Sequence, residues 1–128
     1  MTWHGHHHSY QRTCPVHKGT CKGYNSDGTA AAPIHLVIGH AGAGLCWNIA
    51  GKQPEIFDVV DVGWGFMKVD GNATHLTMEV IGDANGGVMD KFTLKKPAGW
   101  RPVPPVIQAS PGWIQRLSSI VGLGCATE

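Results

Sequence analysis

Charge is scarce in this sequence. Of its 128 residues, 15% are Asp, Glu, Lys or Arg, against about 25% in an average soluble domain. Ten basic and nine acidic residues leave a net charge of +1. That argues against the clustered basic footprint of a nucleic-acid-binding surface. Long apolar runs are missing too: none approaches the roughly 20 residues of a membrane span. Neither nucleic acid nor membrane is therefore an expected partner. The opening residues, Met1-Thr2-Trp3-His4-Gly5, form neither a basic nor an apolar leader, so no signal peptide is expected here. Gly39-His40-Ala41-Gly42-Ala43-Gly44 is rich in glycine, but it lacks the Lys-Ser/Thr ending of a phosphate-binding P-loop. There is no internal repeat.

The length fits one small domain. Eighteen glycines favour turns and short strands over long helices. Cys14, Cys21, Cys46 and Cys125 form an even set with three possible pairings. Cys14 and Cys21 enclose a short loop with Pro15 and Gly19, which suits a local disulfide. The sequon Asn72-Ala73-Thr74 is a glycosylation acceptor in an exported chain. The cysteine pair and the sequon together favour an oxidising compartment.

Residues 15–33 read as loop, being rich in Gly, Asn, Ser, Asp and Pro. Pro33 to Gly39 is a continuous apolar run, as in a strand covered on both faces. His40 to Pro54 is a glycine-rich connection holding Cys46 and Trp47. Trp64 to Val69, Thr74 to Ile81 and Val88 to Leu94 read as three strands separated by hairpin-type turns. In the middle one His75, Thr77 and Glu79 alternate with Leu76, Met78 and Val80, which predicts an antiparallel meander with one buried face. Asp58 and Asp61 flank Val59-Val60 and are read as turn and surface residues, not paired catalytic carboxylates. His35 and His40 are read as structural. Pro97, Pro102, Pro104 and Pro105 make an extended linker. Ser110 then caps a short helix, with Pro111 in its first turn and Trp113, Leu117, Ile120 and Val121 on one face.

The chemistry is concentrated near the start. His4, His6, His7 and His8 fall within five residues. On an extended segment the imidazoles of His6 and His8 point the same way, and imidazole suits zinc, iron and copper. Two such ligands can each serve one ion of a pair about 3.5–4 Å apart, which clamps the attacking and leaving oxygens of a phosphoryl transfer. The bland alternatives are an affinity-tag remnant and a surface His-rich tract with no specific role; a further alternative is a zinc-scavenging His-rich peptide. A tag is an unbroken run, whereas this one flows into Ser9-Tyr10-Gln11-Arg12-Thr13-Cys14-Pro15.

The whole block from Trp3 to Val16, with Gly5-His6-His7-His8 at its centre and a second cysteine at 21, resembles the last signature block, Gly-His-x-His, of the purple acid phosphatases. These belong to the calcineurin-like metallophosphoesterases. Ala32 to Gly39 resembles the family strand that follows that block. Gly63-Trp64-Gly65-Phe66, Asn72-Ala73-Thr74-His75-Leu76 and Met89-Asp90-Lys91-Phe92-Thr93-Leu94 resemble its closing meander. The resemblance covers about residues 2–95.

It implies an α+β fold, the C-terminal portion of an αββα sandwich with mostly antiparallel strands and a short C-terminal helix. Residues 1–96 would be the end of a catalytic domain and 97–128 a Pro-rich linker with an amphipathic helix. The implied activity is hydrolysis of phosphate monoesters at a dinuclear centre pairing iron with zinc, manganese or iron, in a secreted protein. His6 and His8 would be ligands, one per metal. Gly5 would allow close backbone approach. His7 would have no metal role, and Tyr10 and Arg12 would stand behind the ligands. By the resemblance, the family's other ligands precede this block: an Asp in a Gly-Asp motif, an Asp and a Tyr in Gly-Asp-x-x-Tyr, an Asn in Gly-Asn-His, and one further His. Gly82-Asp83 lacks the following Tyr, and Gly71-Asn72 is followed by Ala73 instead of His, so both read as turns. The chain alone is therefore expected to have no activity, and its sheet to keep an open edge and an uncovered apolar face. The competing expectation is a secreted β-rich binding module without catalysis.

Overall fold

Alternation and turn chemistry build the more regular half of the molecule. In the computed structural model, which describes residues 1–49 and 54–101, Gly65–Gly71, His75–Gly82 and Val88–Lys95 form a three-stranded antiparallel meander. These strands are β7, β8 and β9. Met78 and Val80 of β8 are wholly buried, while Thr77 bonds Thr93 and Lys91 reaches Glu79 on the outer face. Cross-strand pairs of this kind stabilise a sheet by about 0.2–1 kcal/mol each. The β7–β8 turn is closed by Asn72, whose Oδ1 accepts from the backbone N–H of Thr74 and His75. The expected meander is thus present, displaced by one or two residues.

The other half is a four-stranded sheet in the order β1-β5-β2-β6. Its strands are β1 (Thr2–His4), β2 (Tyr10–Thr13), β5 (His35–Ile38) and β6 (Phe57–Asp61). β1 pairs with β5 in parallel; β2 pairs with β5 and β6 antiparallel, with a bulge between Arg12 and Thr13. Thr2–His4 is exposed, so β1 leaves an open edge. A small hairpin, β3 (Val16–His17) and β4 (Thr20–Cys21), is closed by the Cys14–Cys21 disulfide with Cα atoms 5.7 Å apart. A 3₁₀ turn spans Trp47–Ile49.

Several expectations need correction. Residues 15–33, read as loop, contain the β3–β4 hairpin and a bridge between Tyr24 and Ala30. Asp58 and Asp61 lie within β6, not in a turn: the apolar residues Phe57, Val59 and Val60 were too few to declare a strand. β5 is not covered on both faces, since only Leu36 is fully buried. Among the described residues there is no α-helix, so the α part of the expected α+β class is not seen there. The helix expected from Ser110 lies outside the described residues, as does Cys125.

Tyr10 joins the two sheets. It is fully buried, and its hydroxyl donates to Asp90 Oδ2 at 2.6 Å on β9. Burial, and then this hydrogen bond, push the phenol pKa far above its usual range. Arg12 donates from Nε to Asp90 at 2.7 Å and from Nη1 to Asp58 at 2.8 Å, and its guanidinium lies over Phe92. Burial opposes the Arg12 charge, but hydrogen bonding and attraction to Asp90 outweigh it, and its pKa rises. Ile34, Leu36 and Cys46 are also buried, while Trp3, Trp47, Trp64, Phe66 and Trp100 are exposed.

Candidate metal centre

Between β1 and β2 the chain is not extended. Residues His6–Ser9 form a bend, and His6 has φ of +72°. A non-glycine residue in this left-handed region costs about 1–2 kcal/mol, and such strain gathers at functional sites. The alternation argument for His6 and His8 therefore fails, because the period-two geometry of a strand does not apply across a bend.

The bend is pinned from three sides. The Ser9 amide donates to the His7 carbonyl, and the Gly39 amide to the Ser9 carbonyl. The Cys46 amide donates to the His8 carbonyl at 2.9 Å, and the His8 amide meets Cys46 Sγ at 3.2 Å. Gly39 is needed here: a Cβ on it would lie 2.1 Å from the His7 carbonyl oxygen. Gly5, expected to allow close approach, would have nothing within 4 Å of its Cβ. The tight contact is at Gly39 instead.

Each histidine of the bend has a separate fate. His8 Nδ1 lies 2.5 Å from the Gly44 carbonyl oxygen. A carbonyl only accepts, so Nδ1 carries the proton and Nε2 keeps its lone pair in the neutral ring. A carbonyl on the far nitrogen is the usual support of a metal-bound histidine. His7 is consumed by packing: Nδ1 pairs with the buried Ser9 hydroxyl at 2.8 Å and Nε2 with Asn48 Oδ1 at 3.1 Å. Gln11 donates to the same Ser9 oxygen at 2.9 Å. Tyr10 and Arg12 direct their hydrogen bonds to Asp90 and Asp58, not to the His6 or His8 rings. They hold the strand that leaves the bend.

Sequence reasoning missed Gly44, Asn48 and Asp90 as supports. The signal for Gly44 is the glycine-rich His40–Gly44 stretch, whose backbone can approach a ring closely. His40 is fully buried, with neither ring nitrogen bonded. Burial holds its pKa below the usual histidine value, against the opposing pull of Asp61 and Asp83. Its ring lies 5.7 Å from that of Tyr10, and its carbonyl accepts from the Gly65 amide. Among the described residues no group of three or more His, Cys, Asp or Glu is placed to hold an ion.

The comparisons agree with this architecture. A family profile described as "Iron/zinc purple acid phosphatase-like protein C" matches residues 32–91. "Probable inactive purple acid phosphatase 1" of Arabidopsis thaliana is 34% identical over 96 residues, which are 72% of this chain and 16% of that protein. A Hordeum vulgare "Nucleotide pyrophosphatase/phosphodiesterase" is 32% identical over 103 residues, 75% of this chain and 27% of the relative. A solved purple acid phosphatase from yellow lupin (Lupinus luteus) seeds superposes with a TM-score of 0.66 at 29% identity, over 75% of this chain and 17% of the other. This chain thus spans a minor part of the length of these relatives. It belongs to the purple acid phosphatase family and corresponds to that family's C-terminal part.

Proposed function

We propose that this chain is the closing segment of an acid phosphatase that hydrolyses phosphate monoesters at a dinuclear metal centre, with His6 donating to one metal and His8 to the other. The observation that carries this reading is the supported His8 ring, fixed through Nδ1 on the Gly44 carbonyl with Nε2 left as a donor. The left-handed His6 beside it is the second support. Neutral imidazoles fit iron and zinc, the metals in the description of the matching family. The family resemblance pairs iron with zinc, manganese or a second iron. When bound, such a pair supplies Lewis-acid activation and holds the attacking and leaving oxygens in line.

What this chain contributes is position. Gly44 fixes the His8 tautomer; Ser9, Gln11 and Asn48 remove His7 from competition; Tyr10, Arg12 and Asp90 tie the following strand to the meander. With one donor per metal, the remaining ligands must come from sequence beyond these residues. Residues 1–96 are on this reading the end of a catalytic domain and 97–128 a linker. The Cys14–Cys21 disulfide and the exposed Asn72 turn favour a secreted, glycosylated protein.

The purified chain, given an aryl phosphate with iron and zinc, is expected to show no turnover. Metal-dependent turnover abolished by His6→Ala would overturn the one-donor-per-metal assignment. Joined to upstream sequence carrying the Gly-Asp and Gly-Asn-His blocks, the protein is expected to turn over, and His6→Ala or His8→Ala to lower the rate by roughly 100-fold. A second reading, a secreted β-rich binding module without catalysis, is favoured by the names of relatives called "Probable inactive". Natural upstream sequence lacking those blocks decides for it.

A further inference from the structure

A second pair of imidazoles meets at the β1 edge of the four-stranded sheet, outside the bend. β1 and β5 run parallel, with Thr2 opposite His35 and His4 opposite Val37. Side-chain alternation then sends Thr2, His4 and His35 to one face. On that face two ring nitrogens converge on a single atom. Thr2 Oγ1 lies 2.6 Å from His35 Nδ1 and 2.9 Å from His4 Nε2, and the ring centroids are 6.2 Å apart. A hydroxyl has one proton to give, so it donates to one ring and accepts from the other. Thr2 and His4 are exposed and His35 is half-buried, so solvent reaches the pair.

We propose that His4 Nε2 and His35 Nδ1 form a binding site for a single divalent late transition ion of the zinc, nickel and copper class. The convergence is the reason. Zinc–imidazole bonds are about 2.0–2.1 Å, so each nitrogen has to close by less than about 1 Å on the point now held by the Thr2 oxygen. Side-chain rotation within the exposed face supplies that movement, and water completes the coordination. In the hydrogen-bonded pair one of the two nitrogens carries a proton, and binding an ion moves that proton to the other nitrogen of the same ring, so both rings remain neutral imidazoles. With no carboxylate hydrogen-bonded to either ring among the described residues, they select borderline ions. Magnesium and calcium, which require oxygen ligands, are excluded. The site shares no residue with His6 and His8, so it stands or falls independently of the phosphatase reading.

The test uses the full 128-residue chain carrying His6→Ala and His8→Ala, which silences the bend. Calorimetric titration is expected to show one zinc ion per chain and no magnesium binding. Adding His4→Ala or His35→Ala weakens zinc binding at least roughly tenfold, while Thr2→Val, which spares both rings, keeps it. Copper(II) bound to the same background is expected to show electron paramagnetic couplings from two imidazole nitrogens. Zinc affinity unchanged by both His4→Ala and His35→Ala, or copper coupled to fewer than two nitrogens, overturns the proposal. If the background variant does not fold, ring-nitrogen NMR of the unsubstituted chain decides. His4 and His35 shift together on zinc addition, or the proposal fails.

Discussion

The meander and the four-stranded sheet solve different problems. In the meander, the strands run seven or eight residues with one register irregularity between Val80 and Ile81, the turns are closed by Asn side chains, and the outer face pairs Thr77 with Thr93 and Glu79 with Lys91. In the four-stranded sheet, strands run three to five residues and are broken by a bulge and by the His6–Ser9 bend. The regular half carries no candidate ligand; the irregular half carries all of them. Strain at His6 is affordable because the neighbouring sheet over-determines the bend's two ends. The comparison teaches that the meander works here as a buttress, and Asp90 is the charged joint between the halves, beside the backbone bond from Gly65 to His40.

Breaking that joint has the largest expected effect. Asp90→Ala removes the acceptor of both Tyr10 and Arg12 and leaves a largely buried guanidinium with only Asp58. Loss of one member of a buried pair costs about 3–5 kcal/mol, to be read from the urea midpoint. An Asp90→Ala chain within about 0.5 kcal/mol of the parent would show that the halves are stable separately.

Gly39→Ala is expected to come next, at about 1–3 kcal/mol. The added methyl strikes the His7 carbonyl, so the bend must move. With His4→Ala in the background, which silences the β1-edge pair, zinc binding by His6 and His8 should weaken in the same variant. The matched change Gly86→Ala in the β8–β9 turn, where φ is +65° but a Cβ meets nothing, should destabilise without affecting zinc. Equal zinc binding in both variants would remove the bend from the site.

Acid sharpens the contrast through His40. Its folded pKa is depressed by burial, so below about pH 6.5 the unfolded chain takes up a proton that the folded chain resists. Stability is therefore fully present above that pH and is lost as pH falls toward the lower folded value, by at most about 1.4 kcal/mol per pH unit. His40→Leu is expected to flatten this part of the stability profile between pH 7 and 5. An unchanged slope would mean that His40 titrates normally.

The smallest effect belongs to the meander's outer face. Lys91→Ala removes an exposed partner of Glu79 and is expected to cost no more than about 0.5 kcal/mol, a loss that high salt should erase. A larger loss would mean that the outer pairs do more than decorate a self-sufficient sheet.

Much of this was legible in residues alone. Alternation from His75 to Val80, with Asn- and Gly-rich turns on either side, specified the meander because strand pattern and turn chemistry are local. The spacing of Cys14 and Cys21 specified their disulfide, and the Gly5–Pro15 text specified the family. β6 was not legible, since Phe57-Asp58-Val59-Val60-Asp61 becomes a strand only by pairing with β2. The bend at His6 was not legible either. His-His-His has no turn signal, and the conformation is imposed by Gly39 and Cys46, more than thirty residues away.

The sequence by itself determined which residues could donate to a metal and which strands could alternate, because side-chain chemistry and period-two patterning are properties of neighbours in the chain. Tertiary structure alone decided which donors are left available. It turned the His8 Nδ1–H onto the Gly44 carbonyl, consumed His7 with Ser9 and Asn48, and brought His35 beside His4. Hydrogen-bond partners remote in sequence set a histidine's tautomer and orientation, and no local pattern encodes them.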